Sequence, residues 1–245
     1  MGGITMQEAR NQRRRFGAAL AVAAALGLAA VSTPLRAADD ISDTPFLTSP
    51  LSESEGGKGL SPDQVATITR LEAYLNELST VQSRFVQISS QGTFAEGELF
   101  LSRPGRVRFQ YDDPHPVLLI ADGHSFLYYD RELKNATFIP LEDSPLWFLI
   151  RERVSLTDQI DIVGIVEQDA TISLTVRSQS LDDLGEVTLV FSDQPIELRK
   201  WVMTDVQGQS IQVALIQPEF QVPIDREIFE YGDLDVYGLR RGPQR

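Results

Sequence analysis

The side chains that could do chemistry are few and poorly placed for it. The 245-residue chain has no Cys, which excludes thiolate nucleophiles, disulfides, cysteine metal sites, Fe–S clusters and any cysteine-linked lipid. It has two His. His115 sits in the turn Asp112-Asp113-Pro114-His115-Pro116, and His124 follows Asp122-Gly123 at a hairpin tip. Both contexts predict solvent-facing side chains rather than general bases. No Gly-x-Ser-x-Gly elbow, His-Glu-x-x-His pair or phosphate-cradling loop occurs. Asp233-Leu234-Asp235-Val236-Tyr237-Gly238 imitates the start of a calcium loop. Tyr237 then falls at its fifth position and Gln244 where a bidentate Glu is needed, so the match fails. Glu96 and Glu98 share one strand face beside Gly97, the pattern of a solvated face. Asn135-Ala136-Thr137 has the form of a glycosylation sequon, a short pattern that carries no weight alone. No catalytic residue, metal site or cofactor is expected.

The remaining chemistry is that of solvation. Hydrophobic residues make up 42% of the chain, enough to bury a core and to exclude general disorder. Lys plus Arg number 22 against 35 Asp plus Glu, a net charge of −13. That balance excludes a non-specific nucleic-acid binder, which needs a basic stripe. The charge is unevenly spread. Residues 1–37 hold Arg10, Arg13, Arg14, Arg15 and Arg36 with one acid, Glu8. An apolar run, Phe16 to Val31, follows the arginines, and small residues lead to Ala37-Ala38. This is the pattern of a secretory signal over 1–37, with an N-terminal membrane anchor as the alternative. Arg13-Arg14-Arg15-Phe16 also fits a twin-arginine pattern, so either export route stays open. Removing five of the 22 basic and one of the 35 acidic residues leaves a mature charge of −17. Residues 38–60 read as a flexible acidic linker, 61–232 as the folded domain and 233–245 as a polar tail.

Order begins at Ser61-Pro62-Asp63-Gln64, which has the Ser, Pro and Gln of a capping box. Apolar residues then recur at Val65, Ile68, Leu71, Leu75 and Leu78, predicting an amphipathic helix over 62–79. After it the period changes to two. Strands are predicted at 81–89, 97–102, 107–111, 117–121, 125–129, 136–139, 160–167, 171–178, 186–192, 198–204 and 210–216, with turn residues between them. Ser144-Pro145 introduces a short helix through Ile150, and 223–229 ends in a helical turn. The fold class is mainly β. About eleven antiparallel strands curl into a barrel-like sheet, roofed by the long N-terminal helix and one or two short ones.

Alternation places Leu99 and Leu101 on one strand face, with Phe109 and Tyr111, Leu118 and Ile120, and Phe126 and Tyr128 on the next three. Trp201 and Met203, then Val213 and Leu215, do the same near the end of the sheet. With Phe85 on the first strand and Leu146, Trp147, Leu149 and Ile150 on the short helix, these are the candidates for lining an apolar interior. Periodicity does not tell a filled core from a hollow one, so both readings stand.

The ordered set Phe85-Val86-Gln87, Gly97-Glu98-Leu99, Arg103-Pro104-Gly105-Arg106-Val107-Arg108-Phe109-Gln110-Tyr111, Pro114, Ala121-Asp122-Gly123 and Tyr129-Asp130 resembles the LolA family, periplasmic carriers of outer-membrane lipoproteins. The likeness runs from about Leu71 to Tyr231. It implies an incomplete, half-open antiparallel β-barrel of eleven strands with helices as a lid over an apolar cavity. It implies a periplasmic, monomeric, non-enzymatic chaperone. Its cargo would be acylated lipoproteins, its donor a lipoprotein-releasing inner-membrane ABC transporter, and an outer-membrane lipoprotein receptor a further partner. It also implies that Arg103, before the Pro-containing turn, latches the lid helix through backbone carbonyls. A guanidinium suits that role, having five donors for orphan helix carbonyls. The alternatives are another periplasmic lipid-binding or lipoprotein-binding module on the same fold, such as a sensor or an insertion factor, and, more remotely, an exported hydrolase.

Overall fold

The computed structural model describes residues 59–144, 146–157, 160–178 and 185–232. The signal segment 1–37, the linker up to residue 58, Pro145 and the tail 233–245 with its calcium-loop imitation lie outside the described residues.

The first element is helix α1, Pro62–Glu77. Its capping box forms as the sequence predicts: Gln64 N–H donates to Ser61 Oγ at 3.2 Å, and Ser61 N–H to Gln64 Oε1 at 2.9 Å. The helix buries Thr67, Ile68, Leu71 and Leu75. It ends two residues earlier than predicted because Leu78 turns extended while its N–H still donates to Tyr74 O.

Eleven strands follow: β1 Thr80–Ser89, β2 Phe94–Ser102, β3 Arg106–Tyr111, β4 Val117–Asp122, β5 Ser125–Asp130, β6 Asn135–Pro140, β7 Ile160–Gln168, β8 Thr171–Ser178, β9 Glu186–Asp193, β10 Ile196–Thr204 and β11 Ser210–Phe220. They form one antiparallel sheet in the order β6-β5-β4-β3-β2-β1-β11-β10-β9-β8-β7. Two meanders meet where β1 pairs with β11, and β6 and β7 remain as free edges. Register shifts in β1 at Gln82/Arg84, in β7 at Ile162/Gly164 and in β10 at Leu198/Lys200 are the local irregularities that bend strands. The long connection from β6 to β7 carries a 3₁₀ turn at Leu141–Asp143 and the one-turn helix α2, Trp147–Ile150. Ser144 is not the side-chain cap of α2. The cap position falls to Leu146, and Ser144 serves through its carbonyl, which accepts from Trp147 N–H at 3.0 Å.

Most buried apolar residues form one cluster shared by the sheet, α1 and α2. A second cluster of Leu118, Ile120, Leu127 and Tyr129 lies apart from it, covered by Ala136, Phe138 and Tyr231. The C-terminal 3₁₀ turn, Arg226–Phe229, packs on β3 and β4, and Arg108 Nη1 donates to Ile228 O at 2.9 Å. The sheet is therefore packed on both faces around β4.

Candidate functional site

Between the sheet and its two helices lies an apolar cavity of about 70 Å³. Leu99 and Leu101 of β2, Val107 and Phe109 of β3, Leu119 of β4 and Phe126 of β5 form one wall. Leu198, Trp201 and Met203 of β10 with Val213 and Leu215 of β11 form the other. Leu75 and Leu78 at the end of α1, with Val81, Ser144, Leu146, Leu149 and Ile150, complete the lining. The interior is hollow here, not solid.

Most predicted lining residues are brought together, but not all. Phe85 and Tyr111 pack solidly beside the cavity rather than on its wall. Their rings meet edge to face at 5.1 Å, and Phe85 meets Phe109 at 5.3 Å. The Tyr111 hydroxyl donates to Gln87 Oε1 at 2.7 Å, and burial pushes its pKa above the ordinary tyrosine value. Tyr128 and Trp147 are half-buried against the main core, off the wall. Leu118 and Ile120 are corrected outright: they belong to the second cluster, and Leu119 between them faces the cavity. The strand Val117–Ala121 is buried on both faces, so alternation did not show which parity points inward. Val81, Leu119 and Leu198 are lining residues that the strand alternation did not single out, whereas Val107 shares its strand face with Phe109. Leu75 and Leu78 belong to the predicted helical stripe, the one signal that could have placed them.

His115 is also corrected. It is half-buried and stacks on Tyr111 with ring centroids 4.5 Å apart and planes 23° from parallel. Its Nδ1 has no partner among the described residues, and burial lowers its pKa. His124 is exposed, its side chain 89% accessible.

The turn Arg103-Pro104-Gly105 joins the sheet to both helices. Arg103 N–H donates to Ser79 O just beyond α1 at 2.8 Å, and Gly105 N–H to Ile150 O at the end of α2 at 2.7 Å. Gly105 needs to be glycine: its φ is +73°, and a Cβ there would lie 2.9 Å from Gly123 Cα. The Arg103 side chain lies over the helix end, and its Nη1 donates to the carbonyl of Leu75. This carbonyl lies in the last turn of α1, where intrahelical donors have run out. No carboxylate pairs with Arg103 among the described residues. Burial pushes its pKa down to about 10, with Tyr74 nearby opposing the shift.

Three further polar contacts pin α1. Asn76 Nδ2 donates to Val154 O and Val154 N–H returns to Asn76 Oδ1, both at 2.9 Å. Leu156 N–H donates to Glu72 Oε2 at 2.8 Å, and Leu198 N–H to the Tyr74 hydroxyl at 3.0 Å. Glu72 and Asn76 share a helical face, but nothing local names their partners, 84 and 78 residues away respectively. Among the described residues no His, Asp or Glu side chains gather as metal ligands.

The site is an apolar hollow between one antiparallel sheet and two helices. The family model described as outer membrane lipoprotein carrier protein LolA matches residues 76–232, and the chain belongs to that family. An outer-membrane lipoprotein carrier protein of Alkalilimnicola ehrlichii is 28% identical over 178 residues, covering 69% of this chain and 81% of the relative. One from Pseudomonas paraeruginosa is 25% identical over 178 residues, covering 69% and 85%. The crystal structure of a LolA superfamily protein from Nitrosomonas europaea aligns over 68% of this chain and 99% of that one, at 9% identity and a TM-score of 0.42.

Proposed function

We propose that the chain is a periplasmic carrier that takes the acyl chains of lipoproteins into the lidded cavity. It receives them from an inner-membrane ABC transporter and delivers them to the outer membrane. The observation that carries this reading is the cavity itself: a wall of aliphatic and aromatic side chains closed by helices that are pinned at a few polar points. The single guanidinium on that wall is spent on the helix end and has no ionic partner there among the described residues, as a latch requires. At about 70 Å³ the cavity is well below the 300 to 1,000 Å³ or so of typical ligand pockets, so loading requires the lid to move.

The energetics fit a carrier without catalytic groups. Burying a chain of about fifteen methylenes from water gains about 12 kcal/mol at roughly 0.8 each. A bilayer already offers the same burial, so transfer from membrane to carrier has little hydrophobic drive. Loading then needs outside work and unloading a better acceptor. The net charge of −13 disfavours spontaneous adhesion to anionic lipid.

The test is release of a radiolabelled lipoprotein from proteoliposomes containing the ABC transporter. With ATP and this chain, lipoprotein should appear in the soluble fraction in a one-to-one complex. Equal release without the chain, or none with it, would overturn the reading.

A further inference from the structure

The cavity wall carries a polar feature that an acyl chain alone leaves unexplained. Trp201 is 4% exposed, stands on β10 in the wall and meets Phe109 edge to face at 6.2 Å. Its indole Nε1–H is shut in without an acceptor among the described residues. Arg103 Nε, on the same wall, is in the same state. A buried donor left unpaired is costly, and such groups in folded proteins call for an explanation. Both orphaned groups are donors, and neither can accept. The complementary ligand group is an acceptor without a proton to give, such as an ester or amide carbonyl.

We propose that Trp201 Nε1–H is a carbonyl-recognition site, donating to an ester- or amide-linked acyl carbonyl of the cargo once the lid has opened. This rests on the carrier reading and specifies it: the cavity distinguishes acylated ligands from plain hydrocarbon. Phenylalanine at 201 would preserve the apolar wall but not the donor. Methylenes hold the ligand, and the indole sets how deep its linkage sits.

The experiment compares two probes of equal carbon number, ethyl palmitate and octadecane, on the full chain and on Trp201→Phe. Affinity is read by displacement of a fluorescent fatty-acid probe, and the Trp201 indole resonance by ¹H–¹⁵N NMR. In the wild type the ester should bind about three- to tenfold more tightly than the alkane, the range of one net hydrogen bond. The indole proton should move downfield with the ester and not with the alkane. Trp201→Phe should abolish the difference between the two probes. Equal affinity for both probes, or an indole resonance indifferent to the ester, overturns the carbonyl site and leaves the carrier reading standing. Failure of both probes to bind the wild-type chain overturns both readings. The wild-type NMR arm decides the matter even if the variant misfolds.

Discussion

Replacing Arg103 by Leu separates the stability of the fold from the closure of its lid. Two opposing quantities set the outcome. The guanidinium loses a charge-assisted hydrogen bond to Leu75 O, worth about 1.5–3 kcal/mol. Against that, its pKa is pushed from 12.5 down to about 10 by burial, a cost of up to about 3 kcal/mol at neutral pH. Solvent reaches part of the side chain and reduces that figure. The two nearly cancel, so global unfolding in urea should change by no more than about 1 kcal/mol. The hydrogen bond acts locally, however, on the last turn of α1. Amide exchange there should accelerate by about ten- to a hundredfold, while the central strands β1 and β11 keep their protection. The pH dependence carries the same sign logic. A base whose folded pKa is lowered is protonated more readily in the unfolded chain. Its burden is constant below pH 10 and relieved only as pH rises from about 10 toward 12.5. The difference between wild type and variant should therefore stay flat from about pH 6 to 9. A uniform loss of several kcal/mol, with exchange in α1 and the strands rising together, would refute this account.

Leu101→Trp, which adds bulk on the cavity wall, should reduce uptake of an acyl probe without unfolding the chain. Ile120→Val, in the second cluster, should cost about 0.5–1.5 kcal/mol in urea and leave uptake unchanged. Equal uptake by both variants would mean the ligand does not use the hollow. Gly97→Ala should lower stability by about 1–3 kcal/mol or more, because its Cβ would lie 2.2 Å from Gln110 O and 2.9 Å from Phe85 Cε1. A melting temperature matching wild type would contradict that contact. Burial alone would raise the pKa of Asp122, but the N–H groups of Ser125 and His124 and the Tyr231 hydroxyl outweigh it and hold the pKa low. Its stabilising effect is present above the ordinary carboxylate range and fades as pH falls through the folded pKa. Tyr231→Phe should move the NMR titration of Asp122 upward. An unmoved titration would show that the hydroxyl contributes nothing.

The elements were legible where one face is solvated. The capping box at Ser61–Gln64 located α1, and turn residues separated all eleven strands to within a few residues of their ends. Legibility failed where burial comes from both sides. In β4, Val117, Leu118, Leu119, Ile120 and Ala121 are all apolar and all buried. Parity there is set by the C-terminal turn and Tyr231 arriving on the outer face, a contact spanning about a hundred residues. The same holds for the pins on α1, since Asn76 and Val154 recognise one another only after the sheet has formed. His115 lies in the turn that its flanking prolines predict, but its side chain is half-buried rather than solvent-facing. The stack on Tyr111 is a tertiary event that a turn motif does not encode.

On the carrier reading, the lid behaves as an internal ligand that competes with the cargo. Leu75 and Leu78 of the helix end and Leu149 and Ile150 of α2 occupy the roof over the wall an acyl chain would cover. Closing the lid recovers apolar burial that is lost on opening, so the empty carrier does not leave its wall in water. The affinity of the chain for cargo is then the intrinsic affinity of the open form reduced by the fraction open. A hydrocarbon of about fifteen methylenes would otherwise bind too tightly to be given up. Polar pins such as Arg103 to Leu75 and Asn76 to Val154 set that fraction without adding to the apolar contact itself. Strengthening a pin should lower affinity and speed release, and weakening one should do the reverse. The lid contacts thereby tune retention over a wall whose own chemistry stays unchanged.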